Sequence, residues 1–361
     1  MGYQIELPEG AYHVVTALEH CAWPNLTLMP GAAGSAGEIG AVIYSHPSHG
    51  WDEGDPELWV SSDAGFTWGC RSEVTQHDPP SVRMNVAAGL NPQGHLVALV
   101  SGWSLQGEER DGRGVVLKPW VSISTDSGHT WEHAGEVAPA EGEIPGFEGA
   151  PVLIPFGDVC VNGDECVVSC YGSANWKQDV ARHSILLRSS DGGRTWGDGS
   201  VIGPGNYNET DLLIHSSGRW LALCRTANIV SGDVGVGHGA NVRLFASEDE
   251  GRIWEFKLDL SQPMQHPGHL LELADGRILA TYGTRIPRLK GVMGRVSADA
   301  GESWSAPFVV VGGLLEGDCG YPSSVQVEDG TIVTAYYTNA APWHQRYHMG
   351  VVRWRLEAVG L

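Results

Sequence analysis

Residues 189–196 read Ser-Ser-Asp-Gly-Gly-Arg-Thr-Trp, and four other stretches repeat this pattern: Ser61–Trp68 (SSDAGFTW), Ser124–Trp131 (STDSGHTW), Ser247–Trp254 (SEDEGRIW) and Ser297–Trp304 (SADAGESW). Their starts at 61, 124, 189, 247 and 297 are 63, 65, 58 and 50 residues apart, so the chain is a tandem array of one structural unit. The motif's chemistry is structural. Ser and Asp oxygens tie off backbone N–H groups of a tight turn, Gly takes a position of positive φ, and Trp packs beneath.

Working outward, apolar runs lead into each turn, and upstream of them lie hairpins centred on Gly-containing turns. The clearest span Thr210–Arg225 (TDLLIHSSGRWLALCR), His269–Tyr282 (HLLELADGRILATY) and Ser323–Tyr337 (SSVQVEDGTIVTAYY), with less regular counterparts at Leu26–Tyr44, Val82–Trp103 and Phe156–Tyr171. A hairpin plus a strand on either side of the repeated turn makes a four-stranded antiparallel unit. Five hairpins carry the turn downstream, and the sixth runs into a strand at Met349–Leu356. The pattern predicts an all-β chain: a six-bladed β-propeller of four-stranded antiparallel blades, one domain over residues 1–361, closed by a strand from Gln4–Ala17. In such a ring the first strand of each blade lines the channel. Function is therefore expected ahead of the hairpins, at the opposite rim from the repeated turns.

Composition agrees. Gly 49 and Pro 20 favour short strands and turns over helix, and 42% hydrophobic residues can fill a large core. A net charge of −21 repels phosphate backbones and anionic lipid heads, so nucleic acid and membrane are excluded as partners. No apolar run is long enough to span a bilayer, and Met1–Glu6 lacks a signal peptide's character. A cytoplasmic location is expected, or a secreted or periplasmic one if a leader has been removed. The seven cysteines are scattered in apolar runs without a C-x-x-C pair, and no EF-hand loop is present, so neither a metal nor another cofactor is expected.

With five such turns in six hairpins, together with Asn208-Glu209 ahead of the fourth hairpin and Gly317-Asp318-Cys319-Gly320-Tyr321-Pro322 opening the last, the chain resembles the sialidase superfamily over nearly its whole length. The resemblance implies a tyrosine nucleophile paired with a glutamate, an aspartate acid/base near the first blade, and three arginines that clamp a sugar carboxylate. Tyr321 matches the nucleophile's place, Glu209 its partner's, and Arg225 and Arg285 two of the arginines, with Arg288 a less well aligned substitute for Arg285. A neutral phenol assisted by a base can approach an anomeric carbon bearing a carboxylate, where an anionic nucleophile would be repelled. Bidentate pairing with that carboxylate is what calls for arginine.

The first blade departs from the family pattern. Where an arginine is expected the chain has Cys21-Ala22-Trp23-Pro24, leaving Arg83 as a candidate replacement. In place of the aspartate comes a loop containing His46, His49, Asp52, Glu53 and Asp55, of which His46, His49 and Asp52 are candidates for acid/base work. The expected function is an exo-acting glycoside hydrolase releasing a terminal α-linked acidic sugar, such as sialic acid, from a glycan or glycoconjugate. A neutral or deoxy sugar remains an alternative, with Glu209, Asp318 or a first-blade acid as the carboxyl pair and His266 and His269 on hydroxyls. So does a non-catalytic carbohydrate-binding protein stacking sugars on Trp23, Trp51, Trp103, Trp176 and Trp343. Oligomeric state is not legible.

Overall fold

The computed structural model describes residues 5–30, 37–106, 114–145, 147, 151–173, 182–203, 205–226, 239–341 and 344–361. Trp176 and Trp343 lie outside these residues. Among the described residues the chain is all-β, with 24 strands and one short 3-10 turn at Leu356–Val359.

The strands fall into six antiparallel four-stranded units. The first runs from β2 (Asn25–Met29) to β5 (Gly69–Glu73), and the second from β6 (Ser81–Leu90) to β9 (Glu132–Glu136). The third runs from β10 (Val152–Asn162) to β13 (Gly197–Gly203), the fourth from β14 (Tyr207–Ile214) to β17 (Glu255–Asp259), and the fifth from β18 (Gln265–Glu272) to β21 (Phe308–Val311). The sixth comprises β22 (Cys319–Gln326), β23 (Ile332–Thr338) and β24 (His348–Trp354), completed by β1 (Tyr12–Thr16), which pairs Tyr12 with Arg353 through Thr16 with Met349. The chain thus closes on itself through its N-terminal strand, as the missing sixth turn predicts. Parallel pairing of Gly157–Val159 with Ala87–Gly89 joins the second and third units into one eight-stranded sheet.

Among the described residues six apolar clusters hold the units together, five spanning two successive units and one joining the sixth to the first and reaching the second at Val82 and Met84. Leu58 and Val42 of the first unit pack with Leu96, Ala98 and Val100 of the second, and Val333, Ala335 and Tyr337 of the sixth pack with Ile39, Ala41 and Ile43 of the first. Strands buried on both faces read as continuous apolar runs, which is why Ile278–Thr284 and Ile332–Thr338 are fully buried.

All five repeated turns fall between the third and fourth strands of a unit. In the first, Ser61 Oγ donates to Asp63 Oδ1 and accepts from Gly65 N, both at 2.8 Å, while Asp63 takes the amide of Thr67 at 2.8 Å and its hydroxyl at 2.6 Å. The residue before the Gly also adopts positive φ, as at Ala64, Ser127, Glu250 and Ala300. The turn is therefore stricter than the sequence pattern suggests, and only the copy at Gly192 meets that second demand with glycine.

Candidate functional site

Bulges near the starts of the inner strands aim the candidate side chains. Pairing breaks between Tyr207 and Thr210 on β14, Gln265 and Gly268 on β18, and Gly320 and Ser323 on β22. Each break frees two residues from the ladder and re-aims them, the usual effect of a bulge beside a site. Glu209 and Tyr321 both occupy such positions. Tyr321 carries a φ of +50°, a strained conformation for a bulky residue, and preceding it Gly320 has φ +103°. A Cβ at Gly320 would stand 2.8 Å from Gly283 Cα, so glycine is required for the strand to approach its neighbour here.

The freed side chains meet. The Tyr321 hydroxyl donates to Glu209 Oε1 at 2.6 Å, and Arg225 Nη1 donates to Glu209 Oε2 at 2.5 Å and reaches the Tyr321 oxygen at 3.2 Å. Arg225 lies on β15 (Trp220–Thr226), and Arg285 follows β19 (Ile278–Thr284) with its guanidinium 5.8 Å from the Tyr321 ring centre. Burial, reinforced by the Glu209 carboxylate, pushes the Tyr321 phenol well above its ordinary range against the opposing pull of Arg225 and Arg285, so the phenol is neutral and donates. The Nε–H groups of Arg225 and Arg285 are buried without a partner among the described residues. These groups open on a cavity of about 770 Å³ lined also by His49, Arg182, Asn208, Glu316 and Asp318. Such a cavity is of the size that holds a sugar-sized ligand, and its three arginines, Arg182, Arg225 and Arg285, suit an anion.

His49 and Asp318 form a second constellation at this cavity. His49 Nδ1 donates to Asp318 Oδ2 at 3.2 Å, and the hydroxyls of Tyr337 and Tyr347 donate to the same carboxylate. Burial raises Asp318, but His49 and the two tyrosines more than offset it and hold the carboxyl well below the usual carboxylate range. Asp318 is therefore a saturated, ionised acceptor that orients His49 and not a free acid/base. Trp23 meets the His49 ring edge-on at 4.7 Å, and Cys21 Sγ is 3.9 Å from its Nδ1, so where the sialidase pattern has an arginine this chain packs Cys21 and Trp23 against His49.

Other expected residues are placed elsewhere. Arg83 is buried with Nη1 donating to the carbonyls of Lys118 (2.8 Å) and Val100 (3.3 Å) and its guanidinium 3.7 Å from the Trp120 ring centre, which turns it away from the cavity. It is a packing residue, not a replacement clamp. His46 and Asp52 face each other at 3.6 Å in the first-unit loop, where Asp52 is 59% exposed, and neither lines the cavity. Trp51 is exposed, whereas Trp103 joins Trp23, Phe156 and Tyr171 around a side cavity of about 150 Å³ that shares His49, Glu209 and Tyr321 with the main one. His266 is fully buried, and His269 lies deep beside Tyr321 in a separate chamber, so neither reaches a sugar in the main cavity. Arg288 does not line it either. Sequence reasoning missed Arg182, which precedes a third strand and so carries no inner-hairpin register to mark it. Tyr347 was equally unmarked, its place beside Asp318 being set by tertiary packing.

The sequence pattern of the BNR repeat-like domain family matches residues 42–334. No curated protein sequence matches the chain. Among solved structures, a protein of unknown function from Dyadobacter fermentans aligns at 21% identity and a TM-score of 0.74, covering 96% of this chain and 100% of that one. A Hadza microbial sialidase aligns at 15% identity and a TM-score of 0.65, covering 93% of this chain and 66% of its own. Trypanosoma rangeli sialidase, also solved with sialic acid bound, aligns at 14% identity and a TM-score of 0.67, covering 98% of this chain and 61% of its own. The chain therefore spans about two thirds or less of the two sialidases and shares their fold.

Proposed function

The chain belongs to the BNR repeat-like domain family, and from that premise we propose that it is an exo-acting glycoside hydrolase that releases a terminal α-linked acidic sugar, sialic acid or a relative, at the Tyr321 cavity. Its six four-stranded units are read as the blades of one propeller domain over residues 1–361, with the cavity at the channel mouth. The observation that carries the reading is the Tyr321–Glu209–Arg225 contact set beside Arg285.

In this reading Arg225 and Arg285, with Arg182 at the same cavity, receive the sugar carboxylate. Tyr321 Oη attacks the anomeric carbon as its proton passes to Glu209 Oε1, and the glycosidic C–O bond breaks. The leaving oxygen takes a proton from His49, whose Nδ1–H is anchored on Asp318 so that Nε2 is the exchanging atom. Water, deprotonated by His49, then attacks the anomeric carbon. The tyrosyl oxygen leaves and recovers its proton from Glu209, and configuration is retained over the two displacements.

The test is leaving-group release from aryl glycosides of sialic acid, fucose, rhamnose, galactose and glucuronic acid, comparing wild type with Tyr321→Phe and Glu209→Gln. The proposal expects turnover of the sialoside, or of the glucuronide as a related acidic sugar, and a loss of about 10³-fold or more in kcat/KM in each variant. Turnover of a neutral sugar that survives Tyr321→Phe would refute it in favour of carboxylate chemistry. Binding without turnover across the panel would make the protein a lectin.

A further inference from the structure

Next to Tyr321, the inner strands of four units bring polar side chains to a chamber of about 30 Å³, lined by Asn25, Gly157, Asp211, His269 and Tyr321 and wide enough for roughly one water-sized occupant. Asn25 comes from β2, Asp158 from β10, Asp211 from β14 and His269 from β18. One ligand atom from each of Asp158, Asp211 and His269 lies within 4.8 Å of the other two. His269 Nε2 stands 3.4 Å from Asp158 Oδ2. That separation is the edge of a tetrahedron whose bonds are about 2.1 Å long, the length of zinc–nitrogen and zinc–carboxylate bonds.

The surroundings are built to hold these groups in place. Asp211 Oδ2 accepts the Leu270 amide at 2.7 Å and Oδ1 the Asp158 amide at 3.2 Å, which fixes the carboxylate plane while leaving each oxygen a second lone pair. Gly157 has φ +79°, and a Cβ there would stand 2.6 Å from Asp211 Oδ1, so only glycine lets the backbone pass this closely. Asn25 Nδ2 donates to the Gly157 carbonyl at 2.8 Å and to Asp158 Oδ1 at 2.9 Å, which leaves Asn25 Oδ1 with no partner among the described residues. Neither ring nitrogen of His269 makes a hydrogen bond of good geometry there, although the residue is only 4% exposed. Two carboxylates share a single imidazole as their cationic partner among the described residues, so at most one of the two charges is offset, and the Asn25 amide oxygen beside them is orphaned; one divalent cation meets both deficits.

We infer that Asp158, Asp211 and His269, with Asn25 Oδ1 as fourth donor, form a binding site for a small divalent transition-metal ion, Zn²⁺ or Mn²⁺. Calcium suits the site poorly because it takes six to eight oxygen ligands at about 2.3–2.6 Å, whereas an imidazole with few oxygens in a chamber this small fits a first-row ion. The site lies outside the catalytic reading above and does not depend on it. Its ion would cross-link four units at their inner strands beside the Tyr321 bulge.

The chain is stripped with chelator, equilibrated separately with Zn²⁺ and with Mn²⁺, desalted, and its metal content measured together with its melting temperature. The expected result is about one ion per chain for at least one metal, with a higher melting temperature. Occupancy should fall at least tenfold in His269→Gln and in Asp158→Asn, each first checked as folded by circular dichroism without metal, and should be retained in His46→Gln. Anomalous diffraction from wild-type crystals at the metal edge should place the ion among the three side chains, which keeps the test decisive if a variant does not fold. No retained ion with either metal, an anomalous peak elsewhere, or occupancy that follows His46 overturns the inference.

Discussion

Replacing Glu209 by Gln should destabilise the protein as well as silence it. Glu209 and Arg225 side chains are only 12% and 15% exposed, and the carboxylate is the sole acidic group hydrogen-bonded to that guanidinium among the described residues. Burial pulls the Arg225 guanidinium down and Glu209 more than reverses this; an arginine is too basic to give up its proton even without that help, so Arg225 stays charged when its partner is lost. Removing one member of a buried pair costs about 3–5 kcal/mol because the other charge is left uncompensated. Gln keeps one carbonyl oxygen, which can accept from Tyr321 or Arg225, and the open cavity admits water to the guanidinium, so the lower end, about 3 kcal/mol, is expected. With an unfolding entropy of about 2.1 cal/mol/K per residue over 361 residues, roughly 0.76 kcal/mol/K in all, that is a fall of about 4 °C in melting temperature. Calorimetry and urea titration at unchanged slope would measure it, with Arg225→Met and the double variant completing a cycle. Because the double variant leaves no orphaned charge, a coupling of about 2 kcal/mol is expected. A melting temperature within 1 °C of wild type, or single effects that add within about 0.5 kcal/mol, would refute the reasoning.

Three further outcomes follow from other parts of the molecule. Asp318→Asn should lower kcat by about 10²- to 10⁴-fold with a smaller change in KM, since His49 loses the acceptor that fixes its tautomer; a kcat within threefold of wild type would remove His49 from its role. The repeated turn at Ser247 carries Ile253 where the other four have Thr or Ser donating to the Asp at 2.5–2.7 Å. Ile253, 74% exposed, should therefore be stabilising when changed to Thr, by about 0.5–1 kcal/mol in urea titration, and no gain would mean that this hydroxyl contributes nothing to the turn. Stability should also fall in acid. The Thr130 and Ser303 hydroxyls hold Asp126 and Asp299 below the usual range, Asp299 to about 2, and His49 with the two tyrosines outweighs burial to do the same for Asp318. A carboxyl depressed in the folded state contributes stability above its unfolded pKa of about 4 and loses it as pH falls further. A urea midpoint that stays constant between pH 5 and pH 2.5 would contradict this.

Much of the architecture was written in the chain because its determinants are local. Each S-x-D-x-G turn closes on its own five or six residues, so its Ser, Asp and Gly act wherever it occurs, and alternating apolar hairpins between copies force the four-stranded unit. The absence of a sixth copy, together with an apolar N-terminal strand, predicted the pairing of β1 with β24. Tyr321, Glu209, Arg225 and Arg285 were singled out by the resemblance to sialidases, and the fold brings all four to one cavity. What the sequence left open depends on side-chain direction and on distant partners. Arg83 opens an inner strand just as the cavity residues do, yet Trp120 and two carbonyls of neighbouring strands hold its guanidinium in the sheet. Asp318 and His49 are 269 residues apart, and only packing beside Tyr337 and Tyr347 turns two separate acid/base candidates into one oriented imidazole. Asp158, Asp211 and His269 stand on three different strands with no spacing to betray them, because ligands gathered across separate units are brought together by closure of the fold and not by any local period.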